Sequence, residues 1–316
     1  MSKINAHLSF VFPGQGSQQV GMLKAFEASP IVKETFGTAS EAIAKDLWEM
    51  AQFGPAQVLN DTVNTQPVLL TASVALWRLW QHESDDVPKL LAGHSLGEYS
   101  ALVCAKAISL KDAVSLVALR GKLMQEAVPP GQGAMAAVLG MDNAVLAQVC
   151  LEAAQGEVVS PVNFNAPGQT VIAGNVAAIE RASLLAKGKG AKKVILLPVS
   201  VPSHCMLMKG AATLLAKHLE NIQIEKPTIP VIHNVDVDIS QHPDDIRQRL
   251  VEQLYQPVRW VETIERLAQE GVQVAVECGP GKVLCGLIKR ICPDMKPMGI
   301  ETPQELTLVK NLLLKA

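Results

Sequence analysis

Ser95 is the side chain whose surroundings in the sequence best fit a reactive group. It lies in Gly93-His94-Ser95-Leu96-Gly97, a Gly-x-Ser-x-Gly pattern between the apolar run Leu90-Leu91-Ala92 and a helical run from Leu96 to Lys106. A strand, a sharp turn and a helix in that order make a nucleophile elbow, which holds a serine hydroxyl clear of the end of a sheet. The two glycines permit the tight turn and leave room for a substrate beside the backbone. Leu96 opens the helix, so its N–H has no partner within it and is free to donate to an oxyanion. The bland alternative is a glycine-rich strand-to-helix turn with an incidental serine.

A serine nucleophile needs a base. His204, in Val201-Pro202-Ser203-His204-Cys205, stands just before a helical run, where an imidazole can point out of the fold. His7 starts a strand, His218 falls inside a helix, and His94 points away from Ser95 across the turn. No acid occupies a convincing strand end before His204, so a Ser–His dyad is expected, with a backbone carbonyl orienting the ring.

Arg120 is the third candidate. In the helical run Leu110 to Val128, Lys111, Ser115, Lys122, Gln125 and Glu126 share one face. Arg120 falls on the opposite arc, among Ala113, Leu116, Val117, Leu123 and Met124. Burying it unpaired would cost about 3–5 kcal/mol. It is therefore either an internal ion pair or snorkelling side chain, or an anion-binding arginine in a cleft. Asn163 and Asn165 also leave two readings open: they face a cleft, or they fix the turn at Pro167-Gly168.

The loop Pro13-Gly14-Gln15-Gly16-Ser17-Gln18 follows a short buried strand, Leu8 to Phe12. Gly14-x-Gly16 invites a dinucleotide reading, but Gln19 holds the third glycine position and no acid-terminated second strand follows. If this loop shares a sheet edge with the elbow, Gln15 or its N–H supplies the second oxyanion donor.

These side chains need a sheet and its helices to position them. Helices are expected over Thr38 to Phe53 and from Pro67 onward, with Thr65 as a cap and Trp77 and Trp80 in the core. A polar loop from His82 to Pro88 leads to the elbow strand. After Pro129-Pro130-Gly131 the pattern changes. Strands at Ala134 to Gly140, Val158 to Phe164, Gln169 to Ala173 and Lys192 to Val199 alternate with helices to Ala154, capped by Asp142, and from Val176 to Lys187. That β-α-β-β-α-β order is ferredoxin-like. A helix from Met206 to Leu219 follows, then a strand at Ile229 to His233 and helices over Pro243 to Tyr255 and Val258 to Glu270. The strand Val272 to Val276 ends at Glu277-Cys278-Gly279-Pro280-Gly281 before a helix to Ile291. The expected fold is α/β: an α/β-hydrolase-like catalytic subdomain with a parallel sheet at 1–130 and 200–316, and an inserted ferredoxin-like subdomain at 131–199.

Composition narrows the classes. With 316 residues, 48% hydrophobic but only 4% aromatic, the core must be built from Ala, Val, Leu and Ile. A net charge of −2 gives no electrostatic case for nucleic acid or a membrane surface. The opening apolar run is too short for a signal peptide, and no run suits a membrane span. The scattered cysteines lack metal-ligand spacing, so no metal site and a reduced, cytoplasmic setting are expected.

Taken together, Phe12-Pro13-Gly14-Gln15-Gly16-Ser17-Gln18, Gly93-His94-Ser95-Leu96-Gly97-Glu98-Tyr99-Ser100, Arg120 and Ser200-Val201-Pro202-Ser203-His204 resemble the malonyl-CoA:acyl carrier protein transacylases of bacterial type II fatty acid synthesis. Asn163-Phe164-Asn165 and Glu277-Cys278-Gly279-Pro280-Gly281 extend the resemblance over essentially the whole chain. Polyketide acyltransferase domains share the elbow and the arginine, but differ before the histidine. The resemblance implies Ser95 as acylated nucleophile, His204 as its base, the N–H groups of Gln15 and Leu96 as oxyanion donors, and Arg120 as the grip on a malonyl carboxylate. It also implies that the main-chain carbonyl of Gln253 orients His204. The implied substrates are malonyl-CoA and the phosphopantetheine of holo acyl carrier protein, with no cofactor, and a monomer is expected. An acidic carrier protein should meet basic residues at the rim, either Lys189 and Lys193 or Lys289 and Arg290. The rivals are a serine esterase or thioesterase, and a silent carrier-binding subunit.

Overall fold

The computed structural model of the protein describes residues 3–199 and 201–314. In chain order the first half comprises β1 (Lys3–Phe12), α1 (Pro30–Ile43), α2 (Leu47–Phe53), α3 (Ala56–Asn60), α4 (Thr62–Glu83), β2 (Asp86–Gly93), α5 (Gly97–Cys104) and α6 (Leu110–Glu126). Next come β3 (Gly133–Leu139), α7 (Asn143–Ala154), β4 (Val159–Ala166), β5 (Gln169–Asn175), α8 (Val176–Gly188) and β6 (Lys193–Leu196). The chain closes with α9 (Lys209–Leu219), β7 (Val231–Ile232), α10 (Pro243–Glu252), α11 (Trp260–Gln269), β8 (Val274–Glu277), α12 (Val283–Ile291), β9 (Lys296–Gly299) and α13 (Pro303–Leu313).

Five strands form a parallel sheet in the order β7-β2-β1-β8-β9. Its central strands are apolar runs because helices cover both faces. Phe10 packs edge-on against Trp77 of α4, with ring centroids 5.2 Å apart, and Trp80 is fully buried beside it. The order β2-β1-β8 sets three glycine-bearing turns side by side at the C-terminal edge. At the third turn, a Cβ on Gly279 would come 2.3 Å from Pro13 of the first. Glu277 closes that turn by accepting the N–H groups of Leu284 and Cys285, at 3.1 and 2.8 Å, at the start of α12.

The second sheet is antiparallel, β4-β5-β3-β6, with α7 and α8 on one face, as the ferredoxin-like order requires. Alternation along β3 sends Ala136 and Val138 to the helices and Met135 toward the other sheet. The two layers are stitched at Val258, whose O accepts from Phe164 N–H at 3.0 Å and whose N–H donates to Val162 O at 2.8 Å. Arg290 of α12 adds hydrogen bonds to Pro167 O (3.2 Å) and to Gln169. Among the described residues no helix is long and apolar enough to cross a membrane.

The structure corrects several expected elements. The helix expected over Thr38 to Phe53 is two, α1 and α2, because Ala44 turns left-handed and Asp46 caps a new helix through Glu49 N–H at 2.8 Å. Pro67 does not open its helix. α4 starts at Thr62, and Pro67 lies inside it, held there by burial of nearly every side chain from Asn64 to Trp80. The hydroxyl of Thr65 donates back to Leu59 O at 2.6 Å rather than capping. The polar loop before the elbow is partly strand, since β2 begins at Asp86.

Candidate active site

Ser95 follows β2 with φ +52°, a left-handed conformation that a non-glycine residue adopts only when its surroundings enforce it. The flanking glycines show the enforcement. A Cβ on Gly93 would lie 1.9 Å from the carbonyl carbon of Gly97, and one on Gly97 would lie 2.0 Å from Phe12 O. The Ser95 N–H donates to Asn234 Oδ1 at 2.7 Å, and Asn234 Nδ2 donates to Gly93 O at 2.6 Å, so one amide clamps both sides of the turn.

The Ser95 Oγ meets His204 Nε2 at 2.7 Å, and His204 Nδ1 meets Gln253 O at 2.6 Å. A carbonyl can only accept, so Nδ1 carries the proton and Nε2 presents its lone pair to the serine hydroxyl. His204 is also left-handed, at φ +64°, and 3% exposed. Burial, and then the nearby Arg120 charge, hold its ring down to about 3. It is a neutral imidazole, and hence a base, throughout the physiological range. Ser200, upstream in the same loop, lies outside the described residues.

Arg120 is fully buried on α6 and makes no ion pair among the described residues. Its Nη1 donates to Gln66 Oε1 at 2.8 Å, and its Nη2 donates to Gln253 Oε1 at 3.0 Å and to Ser95 Oγ at 3.4 Å. The guanidinium carbon stands 5.4 Å from the centre of the Tyr99 ring. Nε, which shares an edge of the guanidinium with Nη2, has no acceptor among the described residues. A buried cation solvated only by neutral oxygens, with its Nε–H unused, is strongly disposed to a carboxylate.

A cavity of about 230 Å³ opens onto Ser95 and His204 between the two sheets, and Arg120 stands behind Ser95 rather than on the cavity wall. Gln15, His94, Ser95, Asn163, Asn165 and His204 are among its lining residues. The Gln15 side chain donates to Thr62 Oγ1 at 3.2 Å and accepts from Gln66 Nε2 at 3.3 Å. Leu96 is the residue before α5, and its N–H has no acceptor among the described residues. Asn165 Oδ1 pairs with His94 Nε2 at 2.8 Å, tying the elbow to β4, whereas the Oδ1 of Asn163 is buried without a partner among the described residues. Thus Ser95, His204, Arg120 and Gln253 meet directly, Gln15 joins through Gln66, and the two asparagines form the opposite wall.

A family model described as an acyl transferase domain matches residues 9–300. The malonyl CoA-acyl carrier protein transacylase of Escherichia coli strain K12 is 56% identical over 305 residues, covering 96% of this chain and 99% of that one. The chain belongs to the malonyl CoA-acyl carrier protein transacylases, within the acyl transferase family. The transacylase so named from Bacillus subtilis strain 168 is 47% identical over 315 residues, 99% of this chain and 98% of its own. Among solved structures, an acyl carrier protein S-malonyltransferase from Vibrio cholerae superposes with a TM-score of 0.95 at 54% identity, over 96% of this chain and 99% of that one. A type II PKS acyl-carrier protein in complex with its malonyl-transacylase matches equally, with a TM-score of 0.95 at 53% identity, over 96% and 99%.

Behind the site of this transacylase lies a polar layer that sequence reasoning passed over. It comprises Gln66, Glu98, His233, Asn234 and the side chain of Gln253, all buried. Glu98 carried a readable signal: it is the second residue of the elbow helix, on the turn that faces the sheet. Asn234 and Gln253 carried none, because their partners come from distant stretches of chain.

Proposed function

We infer that the chain transfers a malonyl group from malonyl-CoA to the phosphopantetheine thiol of acyl carrier protein through a malonyl ester on Ser95. One observation carries the reading: a single serine hydroxyl stands 2.7 Å from a neutral imidazole and 3.4 Å from an unpaired buried guanidinium. The first contact makes the oxygen nucleophilic. The second selects a substrate with a negative charge at its far end.

In the first half-reaction, Oγ attacks the thioester carbonyl while His204 Nε2 takes its proton. The oxyanion is held by the N–H groups of Leu96 and Gln15, a kind of donor worth about 3–4 kcal/mol to the transition state. The C–S bond breaks and His204 returns the proton to the departing CoA sulfur. The malonyl carboxylate accepts from the Nε and Nη2 edge of Arg120, displacing Ser95 Oγ, the longest contact there, because a charged acceptor makes the stronger hydrogen bond. In the second half-reaction the carrier-protein thiol loses its proton to His204 and attacks the ester; the ester C–O bond breaks and His204 returns the proton to Ser95 Oγ. Asn163 and Asn165 offer polar groups to the pantetheine arm along the cleft wall. These steps use side chains and backbone N–H groups alone and call for no cofactor.

For the carrier protein, the α12 pair is the better docking candidate. Lys289 and Arg290 are exposed on the helix that also lines the cleft through Val283, Leu284 and Leu287. Lys189 is already held by Glu152 at 2.7 Å, and Lys193 lies exposed on β6. Initial-rate kinetics test the order of events. With both substrates varied, double-reciprocal lines should be parallel, as a covalent intermediate requires. Lines that converge, showing both substrates bound together, would contradict it.

A further inference from the structure

The mechanism above leaves one buried ionisable residue without work. Glu98 is fully buried in the first turn of the elbow helix, and among the described residues it touches neither the cleft nor Arg120. Three donors converge on it. His233 Nδ1 meets Oε1 at 2.7 Å, while the Asn234 N–H (3.1 Å) and Gln253 Nε2 (2.8 Å) meet Oε2. Oε2 accepts from both N–H donors, and Oε1 completes the set with the Nδ1–H tautomer of His233, an arrangement that a carboxylate able only to accept serves throughout.

Two of its three contacts, Asn234 and Gln253, lead to a reacting group by one further bond. Asn234 is the residue that clamps the Ser95 N–H and Gly93 O. Gln253 reaches further: its side-chain Oε1 holds Arg120, its Nε2 also donates to Ser95 O at 3.0 Å, and its main-chain carbonyl holds His204 Nδ1. An amide side chain is able to point either way round. Here only one orientation satisfies the site, because a flipped Gln253 would set its NH2 against the guanidinium and its oxygen against Ser95 O. A carboxylate on the far side, able only to accept, selects that orientation.

The spacing matters as much as the contact. Arg120 and Glu98 are the two opposite charges buried under the elbow, and one amide separates them. A direct ion pair would occupy the guanidinium edge that a substrate carboxylate needs. The interposed amide leaves the edge open while keeping a counter-charge close by.

We propose that Glu98 is a positioning residue for this reaction. Through Asn234 and Gln253, one buried carboxylate sets where the Ser95 hydroxyl, the His204 ring and the Arg120 guanidinium stand. The proposal rests on the acyl-enzyme reading above and adds a residue that never meets substrate.

The test is single-turnover acylation of Ser95 from malonyl-CoA and from acetyl-CoA, alongside thermal unfolding of each protein. Glu98→Gln keeps the shape but offers an NH2 where donors converge. Its acylation by malonyl-CoA should fall by about a hundredfold, the loss that a misplacement of about 1 Å brings, and its malonyl-over-acetyl preference by about tenfold. Glu98→Asp keeps the charge and should recover part of that preference, which a merely space-filling role would not do. A folded Glu98→Gln protein with the normal rate and preference overturns the proposal. If Glu98→Gln does not fold, the two arms are read separately. Asn234→Ala should slow acylation from both thioesters alike, and Gln253→Met should slow malonyl acylation more than acetyl. Two arm variants that behave as the unaltered protein also overturn it. Failure of the acyl-enzyme reading looks different: the unaltered protein would carry no malonyl group on Ser95.

Discussion

Beneath the elbow, Glu98, Arg120, His233, Asn234 and Gln253 are buried to completion. In the antiparallel sheet and its two helices, Thr170 is the one buried polar side chain among the described residues from 133 to 199, and the core there is Ala, Val, Leu, Ile, Met and Cys. Two pairs of left-handed residues mark the same contrast. Ser95 and His204 hold strained backbone at the point where they meet, whereas Gln155 and Gly156 of the small sheet's layer take positive φ at a plain helix end. One region therefore stores polarity and strain where the chemistry lies. The other supplies a stable wall by apolar burial.

A pair of glycine substitutions should break this symmetry most visibly. Gly97→Ala drives a Cβ toward Phe12 O, so the elbow must shift. We expect acyl transfer to fall by more than about a hundredfold, with a loss of about 1–3 kcal/mol in denaturant unfolding. Gly156→Ala has open space around the new Cβ and meets only the positive φ of +88°. It should cost about 1 kcal/mol and leave kcat/KM unchanged.

Next in size is Arg120→Ala. Losing the charged partner of the malonyl carboxylate removes about 3–5 kcal/mol, so malonyl acylation should drop by about 10²–10⁴-fold. Transfer of acetyl, which has no carboxylate to pair, should persist or rise. Equal loss for both thioesters would place Arg120 in the scaffold rather than in selection.

A smaller effect concerns pH. Burial first, and Arg120 second, depress His204 to about 3 from 6.5. The kcat/KM profile for malonyl-CoA should stay flat as pH falls through 6.5, and in Arg120→Ala the acid limb should move upward. Stability follows by linkage: below 6.5 the unfolded chain binds a proton on this residue that the native protein refuses, so stability falls as pH drops from 6.5 toward about 3. A malonyl-transfer limb centred at 6.5 in the unaltered protein would mean that His204 is not held as the site geometry implies.

The two regions also differ in how much of them could be read from the sequence. The small sheet was legible almost element by element, because alternation, the Asp142 cap and the Pro-Gly turn are local signals, and its elements stand within a few residues of where those signals put them. The elbow was legible for the same reason: its glycines are local necessities. The break between α1 and α2 was hidden because Ala44, not a glycine, takes the left-handed turn. Pro67 misled because tertiary burial of α4 outweighs the local cost of a proline. The polar layer was invisible as a set, since Glu98, His233, Asn234 and Gln253 come together only when β2 and β7 pair and α10 packs nearby. Arg120 was the exception: its misplacement on an apolar arc announced that something polar must meet it.

The central claim is that the elbow serine carries the acyl group between donor and acceptor. Incubation with malonyl-CoA alone, followed by peptide mass spectrometry, examines it without any carrier protein. One malonyl adduct on the peptide containing Ser95, discharged on adding the holo carrier protein, is the expected result. An adduct at another residue, or transfer that proceeds with Ser95 never labelled, would contradict it.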